Sequence, residues 1–294
     1  MTDQTIAFTK ASGAGNDFVI IDNMNGACPA DKSALAVSLC SRYFGIGADG
    51  LLVIEPSNRA DFRMLYYNSD GSFGGMCGNG GRCAARYAVL KGIASPSLKF
   101  EALGYIYRAD VQGSAVRLSM KDPSDLHRNV PVDFDTEHFL GNRINTGAPH
   151  VVIFDEQLDE RDVVLTGRAI RRHHQFLPDG TNVNFVKLLG GDRIAVRTYE
   201  RGVEAETLAC GTGSIAGAVI SSLQFGLRSP VHVRTRGGED LHVEFTITGE
   251  TARDIILVGS AHMLFSGIIR VNMQTMHIVE PNLDTIASHQ VKLP

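Results

Sequence analysis

Two stretches of this 294-residue chain set a cysteine directly before a Gly-x-Gly run: Met76-Cys77-Gly78-Asn79-Gly80-Gly81-Arg82-Cys83 and Ala209-Cys210-Gly211-Thr212-Gly213-Ser214. Small apolar residues follow each, Ala84, Ala85, Ala88 and Val89 in the first and Ile215, Ala216, Ala218, Val219 and Ile220 in the second. Each stretch therefore reads as a thiol at a helix start. Glycine lets a ligand approach the backbone closely, and the first helical turn has unpaired N–H donors and the positive end of the helix dipole. An anion should bind there. The same field favours thiolate, and cysteines so placed can fall from about 8.5 to roughly 3.5–7.5. The two cysteines lie 133 residues apart, about half the chain. We read a pseudo-symmetric pair of domains whose helix N-termini meet across one cleft. Two sulfurs facing each other there could remove a proton from one side of a carbon and return one to the other, which is stereoinversion beside a carboxylate.

The elements that must hold these loops can be followed along the chain. Residues 6–22 read as two strands joined by Gly13-Ala14-Gly15-Asn16-Asp17. Residues 32–43 have helical apolar spacing, and Gly45-Ile46-Gly47-Ala48-Asp49-Gly50 follows. That run matches GxGxxG, but it comes after a helix and before a strand, the reverse of a dinucleotide-binding turn. A strand over 61–68 ends in the turn Asn68-Ser69-Asp70-Gly71-Ser72, which delivers the chain to Cys77. Turn chemistry alone accounts for Asn68, although its place beside the Cys77 loop favours a site role. Strands at 98–102, 105–111 and 115–120 precede a boundary near 123. In the second half the turn 145–150 carries His150, and a lone histidine in a turn is more often structural than catalytic. Thr181-Asn182-Val183-Asn184 precedes a strand over 193–199, which ends in Glu200-Arg201-Gly202 just before the Cys210 loop. Residues 231–246 and 254–271 read as closing strands, the last returning to the first domain. This gives a first domain of residues 1–123 with about 263–274, a second of 124–262, and a tail from about 275 to 294 without periodicity.

Hydrophobic residues make up 44% of the chain and charged residues 20%, with net charge −4, an ordinary globular composition. There is no basic run to suggest nucleic acid and no apolar stretch near the roughly 18 residues of a membrane span. The N-terminus lacks a signal-peptide pattern, so a cytoplasmic location is expected. Five cysteines without CxxC spacing suggest neither a disulfide framework nor a zinc site, and reduced thiols are expected.

At these residues the chain resembles the diaminopimelate epimerases. The matching runs are Gly15-Asn16-Asp17-Phe18, Phe44 to Gly50, Asn68 to Ser72, Met76 to Gly80, Thr181 to Phe185, Glu200-Arg201-Gly202 and Glu206 to Gly213, in the family's order. The resemblance implies an α/β fold of α+β type, with two similar domains that each wrap a curved, mostly antiparallel sheet around a central helix. It implies a homodimer that needs no cofactor or metal and interconverts LL- and meso-diaminopimelate for lysine and cell-wall precursor synthesis. Cys77 and Cys210 would be the acid/base thiols. Gly78, Asn79, Gly211 and Thr212 would hold the α-carboxylate, and Asn16, Asn68, Asn182 and Arg201 the distal amino acid end, with Glu200 and His150 assisting near the reacting centre. Three departures stand out: Ala148 in place of a common Asn, Gly50 in place of Gln, and one extra residue between Arg201 and Cys210. The alternatives are a cofactor-free racemase of another amino acid, such as a proline-racemase-like enzyme, and a non-enzymatic amino-acid-binding or thiol redox-sensing protein.

Overall fold

The computed structural model describes residues 3–134 and 137–279. The first half runs β1 (Asp3–Gly13), β2 (Asn16–Asp22), α1 (Lys32–Cys40), β3 (Gly50–Glu55), β4 (Phe62–Asn68), α2 (Gly78–Leu90), β5 (Ser97–Ala102), β6 (Tyr105–Gln112) and β7 (Ala115–Ser119). The second runs β8 (Ser124–Phe134), β9 (Glu137–Asn145), β10 (Pro149–Phe154), α3 (Val163–Arg171), β11 (Asn182–Leu188), β12 (Arg193–Glu200), β13 (Ala205–Thr207), α4 (Gly211–Phe225), β14 (Val231–Arg234), β15 (Asp240–Thr248) and β16 (Thr251–Ser260). The closing strands β17 (His262–Asn272) and β18 (Ile278–Val279) follow.

Strand pairing repeats between the halves step by step. In the first, β1 pairs antiparallel with β2, β2 parallel with β3, β3 antiparallel with β4, β4 parallel with β5, and β5, β6 and β7 antiparallel in turn. In the second, β9, β10, β11, β12, β14, β15 and β16 follow the same sequence of senses. The outer edges are also equivalent, because β17 pairs antiparallel with β1 as β8 does with β9. Each parallel step is a crossover through a helix, α1 and α2 in one half and α3 and α4 in the other.

The apolar runs explain the layering. Along β2 and β3, Phe18, Ile20, Leu52 and Ile54 pack in the cluster that contains α2, while Val19, Ile21, Leu51 and Val53 pack in the cluster that contains α1. In the second half Val152, Val186, Ile194 and Val196 point to α4, whereas Val151, Ile153, Val183 and Phe185 point to α3. Strands buried on both faces read as continuous apolar runs for this reason. Helix α2 touches β1, β2, β3, β4, β6 and β7, and α4 touches β9 to β12 and β14 to β16, contacts that require each sheet to curve around its helix. The result is a mixed α/β molecule dominated by its sheet.

The halves join where β7 and β16 pair antiparallel, with Leu257 opposite Leu118. The run 254–271 holds two strands, since the chain leaves β16 at Ala261 and pairs with β1 as β17. Of the tail, β18 pairs with β17, and residues 280–294 lie outside the described residues. Among the described residues no helix is long and apolar enough to cross a membrane.

Leu257 is fully buried at this seam, beneath both helix starts. Leu257→Ala is expected to cost about 2–5 kcal/mol of stability, as buried leucine truncations do, read from the urea unfolding midpoint. A loss below about 1 kcal/mol would mean that the seam does not depend on this side chain.

Candidate active site

Both cysteines are helix N-caps in extended backbone conformation. The Cys77 Sγ accepts from the Gly80 N–H at 3.5 Å at the start of α2, and the Cys210 Sγ accepts from the Gly213 N–H at 3.4 Å at the start of α4. The N–H groups of Gly78, Asn79, Gly211 and Thr212 occupy the first turns and have no intrahelical acceptors. The two helix starts abut. A methyl group added at Gly211 would lie 3.8 Å from the Gly78 Cα, 3.6 Å from the Asn79 Oδ1 and 3.0 Å from the Leu257 Cδ2. Only glycine allows the backbones so near one another, and the approach sets the two donor sets and the two cysteine caps side by side.

The protonation of the thiols differs from the sequence expectation. Burial raises Cys77 above the ordinary thiol value, against the Gly80 and Asn79 N–H groups and the Arg82 guanidinium, which favour the thiolate. Cys210 is pushed up to about 12, by burial first and then by the Glu200 carboxylate, with the Cys77 thiolate a further opposing charge. Desolvation therefore outweighs the helix termini. Glu200, at the end of β12, is itself raised by burial. Its charge acts on both sulfurs and on Tyr66, so it faces the same site.

On the first half, the Asn79 Nδ2 donates to the Asn16 Oδ1 at 2.6 Å, and the Asn16 Nδ2 donates to the Asp49 Oδ2 at 3.0 Å. Asp49 and Asp17 lock reciprocally, the N–H of each donating to the carboxylate of the other. Arg42 bridges both carboxylates, and Lys10 pairs with Asp17 and donates to the Gly47 carbonyl. Asn16 and Asn79 are thus brought together with the Cys77 loop. Asn68 ends β4 half-buried, with its Nδ2 donating to the Ser72 Oγ at 2.9 Å, so its amide serves the turn. At Gly50 a side chain would collide with Tyr66, whose ring lies 2.4 Å from a Cβ built there. Tyr66 fills that space beside the thiols, and sequence reasoning missed it because a tyrosine inside an apolar strand reads as core.

On the second half, His150 is 1% exposed and buried beside Asn184. The Asn184 Oδ1 accepts from the Thr198 hydroxyl at 3.0 Å, which leaves its Nδ2 to donate to the His150 Nδ1 at 3.0 Å. The imidazole proton is therefore assigned to Nε2, a buried atom without a protein partner. Burial lowers the His150 pKa to about 3, with the Arg201 charge adding to the effect. It can assist only as a neutral donor. Asn182 is 4% exposed; its Oδ1 accepts from the Arg201 N–H at 2.8 Å and its Nδ2 donates to the Pro149 carbonyl at 3.0 Å. The Arg201 guanidinium donates to the Asp179 carbonyl at 3.0 Å. A cavity of about 260 Å³ opens here, lined in part by His150, Arg201, Asn145 and Thr181. The Thr212 hydroxyl lies 3.4 Å from the Cys210 Sγ, and its carbonyl accepts from Thr146 at 2.9 Å. Between Arg201 and Cys210 the chain makes a tight turn from β12 to β13, where Glu204 takes a positive φ of 58° and pairs with Arg171. Among the described residues no group of three or more His, Cys, Asp or Glu side chains is placed to hold a metal.

Known proteins share this sequence pattern, and solved structures share this fold. A profile of the family described as diaminopimelate epimerase matches residues 8–124 and 143–264. The chain is 43% identical over 273 residues to a diaminopimelate epimerase of Aquifex aeolicus, covering 88% of this chain and 96% of that one. It is 44% identical over 282 residues to a diaminopimelate epimerase of Archaeoglobus fulgidus, covering 91% and 97%. The fold is similar to that of a Bacillus anthracis phenazine biosynthesis protein of the PhzF family, with a TM-score of 0.70, 14% identity, and coverage of 90% of this chain and 99% of that one. It is also similar to that of a probable proline racemase from Agrobacterium radiobacter with bound carbonate, with a TM-score of 0.67, 15% identity and coverage of 89% and 92%.

The neutral imidazole makes a pH prediction. Below its ordinary value of 6.5, unfolded His150 takes up a proton that the folded form refuses until about pH 3, so stability falls as pH drops through that window. At pH 5 the penalty is on the order of 2 kcal/mol. The shift in urea midpoint between pH 7 and pH 5 should therefore shrink in His150→Gln, and an unchanged shift would mean that the imidazole is not held neutral.

Proposed function

The chain belongs to the diaminopimelate epimerase family, and from that membership we propose that it interconverts LL- and meso-diaminopimelate by inversion between two thiols, without a cofactor. The observation that carries this reading is the apposition of two cysteine-capped helix starts through Gly78 and Gly211. One sulfur, as thiolate, removes the α-proton from one face while the other, as thiol, donates to the opposite face. The substrate α-carboxylate lies on the N–H groups of Gly78, Asn79, Gly211 and Thr212. These donors are fixed before the substrate arrives, and such preorganised donors are usually the largest contribution to catalysis of this kind. The distal amino acid end is held by Asn16, Asn68, Asn182 and Arg201, on the first half by the Asn16 amide fixed against Asp49 and by Asn68 fixed against Ser72, and on the second by the Asn182–Arg201 pair. The planar guanidinium fork suits a carboxylate. Glu200 and neutral His150 act beside the reacting centre, Glu200 by keeping both sulfurs from ionising together.

Lysine and cell-wall precursor synthesis in a cytoplasmic homodimer completes the proposal. A reducing compartment suits this reading, because a pair of thiols in one site is open to oxidation. The two chain halves (residues 1–123 with about 263–274, and 124–262) act as domains that close on the substrate and exclude water.

The test is proton NMR of reduced protein with LL-diaminopimelate in D2O. Deuterium should enter the α-position as the LL form converts to a mixture with meso. Cys77→Ala and Cys210→Ala should each abolish conversion, and persistence in either would reject the two-thiol scheme. If exchange fails with folded protein carrying free thiols, proline and other amino acids are tried next, and conversion there would assign the racemase alternative. The pH dependence has a defined direction. Because both thiols stand above the ordinary value, kcat/KM should climb about tenfold per pH unit through pH 7–9 and turn down only as the second thiol ionises, near 12. A plateau beginning below pH 7 would mean that the thiolate forms more easily than burial allows.

A further inference from the structure

Arg82 is the largest fully buried side chain among the described residues, 0% exposed, one turn into α2. Its position is electrostatically unfavourable in three ways. A buried cation needs a partner, yet among the described residues no carboxylate lies within 4 Å of the guanidinium. A cation just past the first turn still lies at the positive end of the helix dipole, the unfavourable end for it. The acceptors it meets among the described residues are neutral: Nη2 donates to the Asn79 Oδ1 at 2.9 Å, Nη1 to the Gly78 carbonyl at 3.4 Å, and Nε to the Ser260 carbonyl at 3.5 Å. The backbone of β16 makes room for it, since a Cβ at Gly259 would lie 3.1 Å from Nε and 3.2 Å from Cζ. Glu239, the acidic group that acts on it, is held off by its hydrogen bond from the Ser260 hydroxyl.

The repeat sharpens the point. Arg82 stands five residues after Cys77, and the residue five after Cys210 is Ile215, also fully buried. One helix start carries a buried cation and its twin carries a hydrocarbon. We propose that Arg82 is a positioning residue that breaks the symmetry of the thiol pair: it fixes the Asn79 amide and makes Cys77, not Cys210, the sulfur that ionises first.

Two consequences follow from one side chain. By holding the Asn79 Oδ1, Arg82 turns the Asn79 Nδ2 toward Asn16, whose own Nδ2 ends on Asp49 and, through it, on Arg42. The two amides are aligned head to tail between a cation and a carboxylate, so neither can flip. Glu239 acts on the cation only from beyond ion-pair distance, and a thiolate at Cys77 adds a counter-charge beside it. The charged and titratable groups facing Cys77 are Arg82 and Cys83 from α2, Tyr66 from β4, Glu200 from β12 and Cys210 from α4. Among these Arg82 alone favours the thiolate. Glu200 opposes both sulfurs, and Cys210 carries the added repulsion of Cys77. A substrate whose α-hydrogen faces Cys77 then meets the base ready, whereas its antipode meets a thiol there and must wait for the proton to change sides. That last step rests on the two-thiol reading, but the ionisation order does not.

The experiment is iodoacetamide labelling of substrate-free, reduced protein between pH 6 and pH 12, with each cysteine followed by peptide mass spectrometry. The Cys77 midpoint should lie at least one pH unit below that of Cys210. Arg82→Met should raise the Cys77 midpoint by at least one unit while leaving that of Cys210 in place, and Arg82→Lys should restore the order by restoring the charge. Circular dichroism checks the fold of each variant. Should Arg82→Met not fold, Cys210→Ser and Cys77→Ser, each labelled with Arg82 intact, give the order directly. Equal midpoints, Cys210 first, or a Cys77 midpoint unmoved in folded Arg82→Met would each overturn the proposal. Because no substrate is present, the labelling result stands apart from the diaminopimelate exchange experiment, and either can fail alone.

Discussion

The structure depends on how closely two helix N-termini can approach. Like ends of two dipoles repel, and each first turn carries N–H groups that the helix itself cannot satisfy. The chain nonetheless brings α2 and α4 together at Gly78 and Gly211, over the Leu257 side chain and the pairing of β7 with β16. The apolar cluster common to both helices supplies the compensating energy, since it runs from Phe18 and Leu52 in the first half to Ile194 and Leu241 in the second. What this produces is a pair of adjoining helix starts whose unpaired first-turn N–H groups favour an anion.

Such a site imposes a conflict on its thiols. Helix starts favour thiolate, but the burial that makes the donors effective also makes a lone anion costly. In this structure burial prevails at both sulfurs, and Glu200 adds to it. A site built for anions whose thiols remain largely protonated suits a reaction that needs one base and one acid at once. Two easily formed thiolates would leave no acid, and two inert thiols no base.

Much of this was legible in the chain, and what was not has specific causes. The cysteine-glycine runs at 77 and 210 marked both helix starts because caps and glycines are local signals. The apolar runs 18–21 and 51–54 marked strands buried on both faces. Strands β8 and β9 were invisible, since β8 contains Pro131 and two register shifts that destroy its alternation. Helix α3 was missed because Gly167 interrupts it, a glycine required where the Tyr199 Cβ would lie 2.4 Å from any side chain there. The run 254–271 concealed a change of partner at Ala261, which no local pattern records. Thiol ionisation was read in the wrong direction because dipoles and caps are visible in sequence, whereas desolvation depends on residues that are distant in it.

Repetition explains why the two halves resemble each other, and chemistry explains where they must differ. A two-fold arrangement of identical thiol sites would ionise either sulfur with equal probability, so a substrate arriving with a fixed hand would meet the wrong protonation state half the time. The residues that break the equivalence stand at matching places in the two halves: Arg82 against Ile215 behind the sulfurs, and Asn79 against Thr212 in front of them. Asn79 is held by a cation and an amide, while the Thr212 hydroxyl lies against its own thiol. The scaffold is shared between the halves, and the difference in charge and hydrogen bonding resides in a few side chains set on the first two turns of each helix, beside the sulfur that each helix start carries.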